Sequence, residues 1–71
     1  MKKQINIEGM SCEHCVKHVK ESLKEINGVE EVTVSLQEKN AIVELKNDIA
    51  DSELKNAVAE AGYDVISIVK L

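Results

Sequence analysis

Polar and apolar residues alternate along Gln4-Ile5-Asn6-Ile7-Glu8, the period-two pattern of a strand with one buried face. Gly9 interrupts it. Val16, Val19, Leu23 and Ile26 then recur at intervals of three and four, which lays one apolar stripe along a helix. Asn27-Gly28 ends that helix with residues that tolerate left-handed backbone. Val32, Val34 and Leu36 alternate with Glu31, Thr33 and Ser35, so a second strand has one wet face. Glu38-Lys39-Asn40 turns the chain. Ala41, Val43 and Leu45 alternate with Ile42, Glu44 and Lys46 as a third strand, antiparallel to the second. Asp51 is placed to cap a second helix by accepting an unpaired backbone N–H. That helix carries Leu54, Ala57, Val58 and Ala61 on one face, and Gly62 stops it. Asp64 to Val69 is a last β-branched run.

The predicted order is βαββαβ. Two helices cannot cover both faces of a four-stranded sheet and still leave polar alternation in its second and third strands. Both helices therefore pack on one face, giving an α+β open sandwich of the ferredoxin-like type with a four-stranded antiparallel sheet. The two halves read as a pseudo-repeat, of which only the first carries cysteines. The 71 residues are expected to form one small domain, residues 1–71, with a modest core. The chain has no proline, phenylalanine or tryptophan and a single tyrosine, Tyr63, so that core is aliphatic. Hydrophobic residues at 44 % and charged residues at 31 % suit a globular rather than a disordered chain.

A formal net charge of −4 argues against a nucleic-acid partner. The charge is uneven. Residues 1–24 carry five lysines against three acids, and residues 25–71 carry four lysines against ten acids. No apolar run approaches the roughly 20 residues of a membrane helix, so no membrane insertion is expected. Lys2-Lys3 leads into a short alternating run rather than an apolar stretch, which does not read as a secretory signal. The expected location is the cytoplasm. Thiols stay reduced there, and paired cysteines bind metal or do redox chemistry more often than they staple a fold.

Both cysteines lie in the stretch Gly9-Met10-Ser11-Cys12-Glu13-His14-Cys15, between the first strand and the first helix. Cys12 falls in the loop and Cys15 in the first helical turn. The free N–H groups and dipole of that turn favour negative charge, and Lys17 and Lys20 lie close behind. Both thiols are therefore expected to ionise below the roughly 8.5 of a free cysteine.

Three chemistries share this spelling. Dithiol exchange, as in thioredoxin-like proteins, also uses a Cys-x-x-Cys after a strand. This chain lacks their proline, the aromatic before the motif and the Gly-Pro between the cysteines. Structural zinc needs four ligands, and two cysteines supply half. Cys15 and His18 share a helix face, but His14 lies awkwardly for the same ion. A zinc site completed by water or by a second chain stays open. A soft monovalent ion, Cu(I), is satisfied by two thiolates, and their softness selects it. An exposed two-coordinate ion is open to attack by another protein's thiolates, which suits a carrier.

The run "GMSCEHC" followed by "VKHV", then "NGV" before the second strand and "AGYDV" after the second helix, resembles the heavy-metal-associated domain family over essentially the whole length. Within that family the chain is similar to the small bacterial copper chaperones of the CopZ type. The resemblance implies Cu(I) carriage and hand-over to the metal-binding domain of a copper-exporting P-type ATPase, with no enzymatic activity. It implies Cys12 and Cys15 as metal ligands and Met10 as an apolar anchor beneath the loop. It sets Tyr63 near the metal, where shielding the ion and covering the core are both open readings. His14 reads on its own as a solvated neighbour of the pair, with a third-ligand role left open. The empty form is expected to be a monomer, and two exposed Cys pairs could share Cu(I) in a homodimer. An initial Met1 and an end just after the last strand suit a free-standing protein better than a domain of a metal-pumping ATPase. Mercury or zinc carriage on the same scaffold is a further alternative.

Overall fold

The computed structural model describes residues 1–71. Strand β1 (Lys2–Glu8) leads to helix α1 (Glu13–Lys24). Strands β2 (Val29–Ser35) and β3 (Asn40–Leu45) follow, then helix α2 (Asp51–Glu60) and strand β4 (Asp64–Lys70). This is the βαββαβ order that the hydrophobic pattern predicts. The strands form one sheet in the order β2-β3-β1-β4, antiparallel at every pairing. It is the ferredoxin-like open sandwich.

The alternation in the strands decides which face is covered. Ile5, Ile7, Val32, Ala41, Val43 and Leu45 point to one side and are buried there under Val19 and Leu23 of α1 and Leu54, Ala57 and Val58 of α2. Tyr63, the one aromatic side chain, is half-buried and packs against this core without being among its fully buried residues. The other face carries polar cross-strand neighbours. Asn6 pairs with Asn40 on one side and Ser67 on the other, and its Nδ2 donates to the Ser67 hydroxyl at 2.9 Å.

Three local expectations are corrected. Helix α1 ends at Lys24 rather than running to Asn27, and Ile26 packs on the core from the turn beyond it. The left-handed residue is Gly28, at φ 104, and a Cβ there would stand 3.2 Å from the Ile49 side chain. Leu36 leaves the second strand and joins the turn, where Lys39 takes the positive φ of 57.

Asp51 does not cap α2. The residue before that helix is Ala50, which makes no side-chain cap, and Asp51 is its first helical residue. The Asp51 carboxylate instead accepts a 2.7 Å hydrogen bond from the Lys3 ammonium, which also donates to the Ile49 carbonyl at 2.7 Å. Lys3 follows the same inward alternation as Ile5 and Ile7, and its side chain is only 10 % exposed. A buried ammonium is tolerable only with such partners. Lys3 therefore ties β1 to the β3–α2 loop at the end of the sheet away from the cysteines, which follow the other end of β1.

Candidate metal site

The segment between β1 and α1 is short and held at both ends. Gly9 turns the chain out of β1 with φ 100, a conformation that costs other residues energy. Met10 then drops into the core cluster, 7 % exposed. Ser11 and Cys12 are exposed. Cys12 stands immediately before α1 in extended backbone, and its carbonyl accepts the N–H groups of Cys15 at 3.1 Å and Val16 at 3.3 Å. Its side chain makes no capping bond to the helix. The thiol is left free to face Cys15, with the two sulfurs 3.6 Å apart. Cys15 is half-buried and rests against the core, so one sulfur is anchored and the other is on an open loop.

The surroundings favour charge on Cys15. Its pKa falls to about 6, well below its ordinary range. The backbone N–H of Ser11 contributes most and the Tyr63 hydroxyl next. Desolvation opposes them, and smaller contributions come from Cys12. The leading effects are neutral donors aimed at the sulfur rather than the nearby lysines. The Tyr63 hydroxyl is raised in return, first by its bond to the Cys15 thiolate and then by burial. The sign follows: the thiolate persists as pH falls from alkaline values and is lost as it passes through about 6. Alkylation of Cys15 by iodoacetamide, mapped by peptide mass, is expected to rise with a midpoint near pH 6. Tyr63→Phe should move that midpoint upward. A midpoint in the ordinary thiol range would mean that these donors do not act on the sulfur.

The structure brings Cys12, Cys15 and Tyr63 together and places Met10 beneath them. It does not add His14, whose exposed side chain makes no hydrogen bond within the chain. No third Cys, His, Asp or Glu completes a cluster with the two thiols. Cys12 is exposed and Cys15 half-buried, so the pair is open to a partner from the Cys12 side. Sequence reasoning missed Ser11 as a determinant of Cys15. The only signal for it was the position of the motif at a helix start.

No helix is long and apolar enough to cross a membrane. Residues 4–64 match the family model of the heavy-metal-associated domain. A copper chaperone CopZ of Staphylococcus epidermidis is 42 % identical over 64 residues, covering 89 % of this chain and 94 % of that protein. The solved structure of a CopZ metallochaperone superposes with a TM-score of 0.87 at 36 % identity, over 93 % of this chain and all of the other. The Cu(I)-loaded N-terminal domain of a potential copper-translocating P-type ATPase from Bacillus subtilis reaches 0.82 at 32 % identity, over 90 % of this chain and 81 % of that one. With the fold, the strand-to-helix thiol pair and a match through nearly its whole length, this chain belongs to the heavy-metal-associated domain family.

Proposed function

We propose that this chain is a cytoplasmic Cu(I) chaperone, with residues 1–71 forming a single domain and no catalytic role. The observation that carries the reading is a pair of thiols 3.6 Å apart on an exposed loop, with no third donor. Two thiolates suit a soft monovalent ion and leave a tetrahedral ion half-ligated. The CopZ relatives and the Cu(I)-loaded neighbour support the choice of cargo.

Cys12 and Cys15 hold the ion as thiolates. Near-linear coordination puts the ion between the two sulfurs, so the pair opens from its present 3.6 Å, and Cys12 is the one free to move. Met10 anchors the loop while this happens, and Tyr63 shields one side of the ion. Transfer is ligand exchange without change of oxidation state. A partner thiolate bonds to the ion and makes it three-coordinate. One Cu–S bond, to Cys12 or Cys15, then breaks and leaves that thiolate behind. The natural recipient is the similar domain of a copper-exporting P-type ATPase. The empty form is a monomer, and Cu(I) shared between two exposed pairs would link two copies.

Lys17 and Lys20 are exposed on α1 just beyond the thiols, interleaved with Glu13 and Glu21, and in this reading the two ammonium groups meet acids on the docking face of the partner. Lys17→Glu with Lys20→Glu should slow transfer to such a domain in stopped-flow measurements at low salt, and added salt should shrink the difference. Equal rates at low salt would remove the lysines from docking. The reading as a whole is tested by anaerobic competition of the reduced chain against a coloured chelator, first with Cu(I) and then with Zn(II). Tight one-to-one Cu(I) binding with far weaker zinc binding supports it. A preference for zinc overturns the assignment of the cargo.

A further inference from the structure

We propose that His14 and His18 form a second metal site, a two-imidazole clamp on the outer side of α1 that takes a borderline divalent ion such as zinc. Helix α1 is unbroken from Glu13 to Lys24, so the two histidines are four residues apart on one regular helix. That spacing leaves them about 40° apart around the axis, with Cβ atoms about 5–6 Å from each other. Two histidines at the same spacing hold zinc in the helical His-Glu-x-x-His motif. Both rings are exposed, and neither has a hydrogen-bond or ion-pair partner in the chain. Both lie on one solvent-facing patch of α1, together with Glu13, Lys17, Lys20 and Glu21.

The patch is close to neutral. Glu13 and Glu21 offset Lys17 and Lys20, so the net charge does not repel a cation. No third protein donor joins the pair, and water completes the coordination. The site is therefore weak and exchangeable, and selects ions that favour imidazole nitrogen: zinc, nickel and Cu(II) among them. Around the helix Cys15 is turned about 100° from His14 and about 60° from His18, and it is half-buried against the core, whereas both imidazoles are exposed. Soft Cu(I) on sulfur and a divalent ion on nitrogen can be held together, so a zinc ion would sit on the helix that docks.

The test uses the full chain with Cys12→Ser and Cys15→Ser, titrated with Zn(II) at neutral pH and followed by NMR of the histidine ring protons. Removing the thiols makes the outcome independent of the Cu(I) reading. Both rings are expected to shift together and saturate at one ion per chain. His18→Ala in the same background should weaken binding at least about tenfold and take the His14 response with it. Adding Zn(II) to the native chain already loaded with one equivalent of Cu(I) should give the same ring shifts. Zinc binding that vanishes with the thiols, a response from one ring alone, or an affinity indifferent to His18→Ala would overturn the proposal. Both histidines are exposed, so the variant folds, and its unchanged backbone spectrum verifies this.

Discussion

A chain with serine at both position 12 and position 15 is expected to lose its Cu(I) site. In competition against a coloured chelator, the chelator should keep the ion at every protein concentration at which the native chain strips it. A serine hydroxyl stays protonated at neutral pH and is a hard donor, so it supplies neither the charge nor the softness of a thiolate. The single variants should be unequal. Cys12→Ser keeps the anchored, acidic sulfur of Cys15, whereas Cys15→Ser keeps only the sulfur on the open loop. The first should retain more residual binding, and both should fail to hold the ion against a partner's pair of thiolates. The double variant should unfold at the same temperature as the empty native chain, because neither cysteine belongs to the buried core. Copper held as tightly without the two thiols would place the ligands elsewhere.

Leu23→Ala is expected to cost about 3 kcal/mol, within the range for emptying a buried leucine site. Leu23 is fully buried in the helix–sheet core. A chain of this size has about 4–10 kcal/mol of stability in total, so the loss is a large share. At about 4–8 °C per kcal/mol, the melting temperature should fall by about 12–24 °C. Thermal denaturation by circular dichroism measures this, with the exposed Lys20→Ala on the same helix as a control. Leu23 lies eight residues from Cys15, about 12 Å along the axis. Cu(I) affinity of the variant should therefore match the native value at temperatures where it is folded. A shift below 5 °C would mean that the neighbours collapse into the space.

The contrast between these positions shows what was legible in the chain. Val19 and Leu23 announce themselves by spacing, because an apolar stripe on a polar helix has only one way to face. Ala41, Val43 and Leu45 do the same by alternation. Lys3 does not, since a lysine at an inward strand position becomes tolerable only through Ile49 and Asp51, more than forty residues away. That same bond takes Asp51 from its expected capping role. The end of α1 was misplaced for a related reason. Ile26 continues the apolar stripe but packs from the turn, and spacing alone cannot tell the last helical residue from the first beyond it. At the candidate site, the thiol pair and its helix start were readable. The approach of Tyr63 to Cys15 came only from the family resemblance, because nothing local links residues 15 and 63.

The core of thirteen buried residues contains neither cysteine, so it is packed by groups that take no part in holding an ion on the proposed thiol pair. Small domains whose fold depends on their metal exist as unfolded apo and folded holo forms. Such a protein would come apart each time it gave up its cargo and would expose its chain to proteases until it was refilled. On the proposed reading, delivery and survival are uncoupled in this chain. An emptied molecule remains a folded one, ready for the next ion without a refolding step. Its traffic is then paced by encounters and by exchange at two sulfurs, while its lifetime is set by valines, leucines and isoleucines that never meet the metal.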